Sequence, residues 1–194
     1  MKAIAGTILS MGQLILVTGP ARSGKSEWAE QLADQTDKQV VYVATAQVDP
    51  NDLEWVARIE KHQQRRPAEW TLVWTPIDLV ETILEWDQPD YCLLIDSLGT
   101  WVANCLDQED GIWQDTTDTL WRTVNQSSAT IILVAEETGW GVVPAYPLGR
   151  TFRDRLGQVV RQFGMIANPV YLVTGGHVLN LSTLGSPLSR ESLP

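Results

Sequence analysis

Three groups of residues in this chain have types and spacings that can do chemistry. The first is "GPARSGKS", which matches G-x-x-x-x-G-K-[ST]. In that pattern the stretch Gly19, Pro20, Ala21, Arg22, Ser23, Gly24, Lys25 and Ser26 wraps phosphate groups with main-chain N–H donors. Lys25 then reaches the β- and γ-phosphates, and the Ser26 hydroxyl meets Mg²⁺. A turn that merely joined two elements would need neither the lysine nor the serine. The second is Asp96, which closes the apolar run "YCLLID". A carboxylate at a strand end suits the Mg²⁺ side of a phosphate-loop site. The same aspartate also suits the N-cap of a helix beginning near "SLGTWV", and the two roles are compatible.

The third group is "ARIEKHQQRRPAEW", which holds His62, one of two histidines. Arg58, Lys61, Arg65 and Arg66 surround it, in a chain of net charge -10. On a helix, Arg58, His62 and Arg66 share a face, with Arg65 beside them. Guanidinium groups pair their donors with phosphate oxygens. An imidazole between cations stays neutral, so a ring nitrogen can attack phosphorus or take a proton. By spacing alone, however, a solvated basic face paired with Glu54 and Glu60 is the more ordinary reading. His177, in a hairpin strand, has only the ordinary reading.

These residues need elements to place them. "LILVTG" (14–19), "VVYVAT" (40–45), "YCLLID" (91–96), "TIILVA" (130–135) and "VYLVT" (170–174) are continuous apolar runs and are expected as buried strands. "WTLVWT" is a weaker strand. "KSEWAEQLADQ" has helical spacing at Trp28, Ala29, Leu32 and Ala33, and a second helix is expected from about Asp52 to Gln64, ending near Pro67. "GG" links the last long strand to "HVLNL", a hairpin return. Strands alternating with helices predict an α/β fold: a mostly parallel sheet, helices on both faces, and one antiparallel edge strand.

The 194 residues, 44% hydrophobic, suit one globular domain from 14 to 181. An N-terminal extension (1–13) and a polar tail (182–194) flank it, and Met11 is an alternative start. The acidic balance argues against nonspecific nucleic-acid binding. No apolar run is long enough for a membrane span, and the first residues lack the features of a secretory signal. Cys92 and Cys105 sit among apolar residues, as reduced thiols of a cytoplasmic protein would. The nine tryptophans mostly occupy amphipathic positions, which packing explains.

One further block, "EETGWGVVPAYPLGRTFRDRLG" (136–157), follows "TIILVA" directly and so lies at the phosphate-loop end of the sheet. The helix after it is expected to turn Phe152, Leu156, Val159 and Phe163 inward. Arg150, Arg153 and Arg155 suit a substrate phosphate, a subunit interface or a solvated face about equally.

Taken in order, "LILVTGPARSGKS", "VYVATAQ", "RIEKHQQRRPAEW", "LLIDSLGTWVANCL" and "EETGWGVVPAYPLGRTFRDRLG" resemble the bifunctional adenosylcobinamide kinase / adenosylcobinamide-phosphate guanylyltransferase family of cobalamin biosynthesis. The resemblance runs from Leu14 to Leu181, and the histidine and glycine–proline blocks are its specific parts. It implies a RecA-like P-loop NTPase fold, a homotrimer, Mg²⁺, and ATP and GTP as substrates. It implies phosphorylation of adenosylcobinamide, then transfer of GMP from GTP through a histidine to adenosylcobinamide phosphate. That histidine corresponds to His62, with Lys25 as the other catalytic residue. Nucleotide contacts are implied at the phosphate loop, at Ala44, Thr45 and Ala46, at Gln63, Gln64, Arg65 and Arg66, and at Asp96. The chain departs from the family pattern at Pro20 (commonly Gly), Trp74 (commonly Glu), Glu136 (commonly Asn) and Val160 (commonly Asn). Two other readings fit the motifs alone: a P-loop small-molecule kinase with a structural His62, and a non-enzymatic RecA-like nucleotide-binding assembly protein.

Overall fold

The computed structural model describes residues 12–47 and 66–188. The helix expected over 52–64, with Arg58, Lys61, His62, Gln63 and Gln64, lies outside the described residues, as does Arg65.

Six apolar runs form strands where expected: β1 (Leu14–Gly19), β2 (Gln39–Ala44), β3 (Thr71–Trp74), β4 (Tyr91–Asp96), β5 (Thr130–Glu136) and β6 (Val170–Thr174). A seventh, β7 (His177–Asn180), returns antiparallel along β6. The sheet order is β3-β2-β4-β5-β1-β6-β7, and every pair but the last is parallel. The β6–β7 turn is "GG" because both glycines take positive φ, 57° and 74°.

Side chains alternate across a strand, so the sheet divides the core in two. On one face, Ile15, Val17, Val40, Tyr42, Cys92, Leu94, Ile132 and Val134 pack with Ala29 and Ala33 of helix α1 (Lys25–Asp34). On the other, Leu16, Val41, Val43, Leu93, Ile95, Ile131 and Leu133 pack under four helices. These are α2 (Leu79–Glu85), α3 (Leu98–Asn104), α4 (Asp110–Gln126) and α5 (Pro147–Gly164). Leu156, Val159 and Phe163 of α5 are buried as their spacing predicts, and Phe152 packs against the same cluster.

The sequence reading assigned no element to α2 or α4. In α4 the buried side chains Trp113, Thr117, Leu120 and Val124 carry the helical spacing, but Asp, Thr and Gln between them dilute it. The expected tail begins inside a one-turn helix, α6 (Leu181–Leu184), where the Ser182 hydroxyl accepts the Val170 N–H at 2.9 Å. Packing explains Trp101 and Trp113, which are buried, whereas Trp74 and Trp140 are exposed. Both cysteines are buried and unpaired, and burial pushes each thiol up to about 11.

Candidate active site

The phosphate loop leaves β1 and enters α1. It uses two left-handed residues, Arg22 (φ 59°) and Gly24 (φ 93°). Gly24 takes that conformation without Cβ strain, and Arg22 holds it with a full side chain. Gly24 is the N-cap of α1 and offers no side chain to its free N–H groups. Ser23 Oγ accepts the Lys25 N–H at 3.3 Å, which tightens the loop. The result is an N-terminus open to an anion.

Strand parity does the rest. Tyr42, Asp96 and Glu136 all sit at positions that point toward the α1 side, in step with Tyr42, Leu94 and Val134 of that core. β5 lies between β4 and β1, and its last residue, Glu136, is level with Gly19, where the loop begins. Two carboxylates thus end neighbouring strands beside the loop.

Lys25 is buried, and its Nζ lies 3.8 Å from Glu136 Oε1. The other oxygen, Oε2, is sealed from solvent without a hydrogen-bond partner among the described residues. It occupies a slot that exists only because residue 99 is glycine: a Cβ there would overlap Oε2. Burial pushes the Glu136 carboxyl above its ordinary value, against the pull of Lys25 and the Ser97 hydroxyl.

Asp96 is held differently. Its Oδ2 accepts the Tyr42 hydroxyl at 2.8 Å. Burial and then the charge of Asp96 push that phenol well above its ordinary value, so it stays protonated and donates. The Arg66 guanidinium stacks 3.3 Å from the centre of the Tyr42 ring, and its Nε lies 3.5 Å from Glu30 Oε1. Arg66 therefore fastens the start of the segment that leads into β3 to the Tyr42 ring and to α1.

The helix after β4 is capped by Ser97, whose hydroxyl accepts the Thr100 N–H in a capping box. Asp96 is not the cap, which leaves its carboxylate for the site. Thr45 has its polar groups engaged: its N–H meets Asp96 O, its hydroxyl donates to Ser97 O and contacts Thr100 Oγ1, and its carbonyl accepts from Asn104. It works as a strut under the Asp96–Ser97 turn. Ala44 ends β2 level with Asp96, and Ala46 follows Thr45 beyond the strand.

Arg150, Arg153 and Arg155 are each engaged by protein groups. Arg155 is buried, donates to Cys105 O, Leu106 O, Gln108 O and Asp110, and stacks on Trp113. Arg150 donates to Pro144 O and Ala145 O, which shapes the loop before α5. Arg153 pairs with Asp154. The Lys25–Glu136 pair and the Tyr42–Arg66 stack were not foreseen, although strand parity carries the signal for Tyr42 and Glu136.

A family model described as cobinamide kinase / cobinamide phosphate guanyltransferase matches residues 15–181. The chain belongs to this family. It is 37% identical over 179 residues to the bifunctional adenosylcobalamin biosynthesis protein CobU of Escherichia coli K12, covering 84% of this chain and 96% of that one. It is 36% identical over 174 residues to CobP of Pseudomonas aeruginosa PAO1, described in the same words, covering 89% and 98%. Among solved structures, a Pyrococcus horikoshii OT3 protein aligns with TM-score 0.57 at 6% identity over 93% of this chain and 89% of that one. The EscN ATPase of the enteropathogenic E. coli type III secretion system aligns with TM-score 0.53 at 16% identity, over 84% of this chain and 43% of EscN. At those identities the likeness shows the fold alone, and that fold is the expected RecA-like P-loop architecture. Among the described residues no helix is long and apolar enough to cross a membrane.

Proposed function

We propose that this protein, like its family, phosphorylates adenosylcobinamide and then converts the product to adenosylcobinamide-GDP. The observation that carries this reading is the family match over 15–181 with a complete phosphate loop at its start. In the kinase step, the acceptor hydroxyl oxygen attacks the γ-phosphorus of ATP or GTP and a nucleoside diphosphate leaves. In the second step, a ring nitrogen of His62 attacks the α-phosphorus of GTP and pyrophosphate leaves. The phosphate of the corrinoid then displaces the histidine, so one difficult transfer becomes two easier ones.

Lys25 and the loop N–H groups neutralise the phosphates in both steps. The Ser26 hydroxyl and the Asp96 carboxylate are hard oxygen donors that fit Mg²⁺, a metal that otherwise keeps water and phosphate oxygens. A Mg²⁺ ion held by these two residues would offset charge on the phosphate oxygens. Gln63, Gln64, Arg65 and Arg66 then flank the nucleotide. For Arg66 the role is anchoring, because Tyr42 and Glu30 already engage its guanidinium. The reading includes a homotrimer, a cytoplasmic location that suits the two buried thiols, and a catalytic unit spanning 14–181.

The test is covalent labelling. GTP carrying ³²P at the α position should leave an acid-labile, base-stable label on the protein, and His62→Asn should abolish it. An unlabelled wild type that still phosphorylates the corrinoid would mark a simple kinase.

A further inference from the structure

The Lys25–Glu136 pair asks for an account of its own, because it joins the side chain that must serve the triphosphate to a carboxylate. Glu136 sits level with Gly19 at the mouth of the loop. Its Oε1 faces Lys25 Nζ at 3.8 Å, and Oε2 lies buried against Gly99, where a Cβ would overlap it. With Oε2 turned toward Gly99, Oε1 is the oxygen presented to the lysine.

We propose that Glu136 is the resting counter-ion of Lys25, and that a nucleoside triphosphate binds by taking the lysine from it. The γ- and β-phosphates claim the same ammonium that Oε1 holds in the empty site. Once they do, a carboxylate is left facing an anion, with the charge of Asp96 on the next strand beside it. Triphosphate affinity is therefore set lower than the loop alone would give, and Lys25 has a partner to return to when the product leaves. Glu136 acts through Lys25 and is a positioning residue.

The discriminating feature is ligand length. GTP reaches Lys25, whereas the single phosphate of GMP does not hold it through β- and γ-oxygens. A neighbouring charge of this kind shifts a site equilibrium by about one to three powers of ten. In Glu136→Gln, titration calorimetry should therefore show GTP binding tightened by about tenfold or more. GMP affinity should stay at the wild-type value. Glu136→Asp, which keeps the charge, should bind GTP as the wild type does. A merely structural glutamate would move GTP and GMP together. That outcome, or unchanged or weakened GTP binding in Glu136→Gln, overturns the proposal. Glu136→Asn carries the same arms if the Gln variant does not fold. The inference rests on the loop being a triphosphate site. Wild-type protein that binds no GTP contradicts that reading, while GTP binding without tightening in the neutral variants contradicts this inference alone.

Discussion

Asp96 and Glu136 end neighbouring strands of one sheet, on the same face, beside the same loop, and the protein treats them in opposite ways. Asp96 is oriented by a neutral donor, the Tyr42 hydroxyl. Its negative charge is left for a ligand. Glu136 is held by a cation and by a glycine slot, so its charge is already spent on Lys25. Position at a strand end places a carboxylate beside the phosphate loop. The residue it meets there decides whether it receives the ligand or competes with it.

Replacing Asp96 by Asn should show the larger effect. Both half-reactions lose charge organisation at the phosphates, and each rate should fall by about a hundredfold or more. Rates at saturating GTP and corrinoid check this, and a loss confined to one half-reaction would break the picture of one shared site. Lys25→Ala should impair both steps for the same reason.

A carboxylate at the opposite end of β5 provides a contrast that should leave the chemistry alone. Asp87 Oδ1 accepts from the Ser127 hydroxyl, both the N–H and hydroxyl of Ser128, and the Ala129 N–H. Burial works to raise this carboxyl, but those hydrogen bonds outweigh it and hold it below its ordinary value. A lowered native value means stability that is present above the unfolded-state pKa and lost as pH falls through the native one. Asp87→Ala should cost about 2 kcal/mol at neutral pH. Urea unfolding should show that cost shrinking toward acid pH.

Gly99→Ala sharpens the comparison from the other side. The added methyl must push the Glu136 carboxyl out of its slot, costing about 1–3 kcal/mol of stability. GTP affinity should move in the direction of Glu136→Gln, read by the same calorimetry. Tyr42→Phe should have the smallest effect. It removes one hydrogen bond to Asp96 and leaves the ring under Arg66, so stability should drop by about 1 kcal/mol in a urea titration.

The parallel sheet and the loop were legible because apolar runs bounded by glycine and a lysine–serine pair at fixed spacing are local signals. The carboxylate at Asp96 was legible as a strand end. What remained hidden depends on neighbours far along the chain. Arg155 reads as a surface cation, yet the carbonyls of Cys105, Leu106 and Gln108 draw it into the interior. Nothing local in the sequence signals that the Thr45 hydroxyl braces the turn after β4. The Lys25–Glu136 pair needs β5 beside β1, which strand order, not composition, decides. Charge patterning in α4 obscured a helix whose buried residues kept their spacing.

The most direct test of the whole account is a single incubation of pure protein with adenosylcobinamide, GTP and Mg²⁺, with products read by mass spectrometry. The account predicts adenosylcobinamide phosphate and then adenosylcobinamide-GDP, with the second product absent in His62→Asn and the first retained. Formation of adenosylcobinamide-GDP by that variant, or no corrinoid product from the wild type, would contradict it.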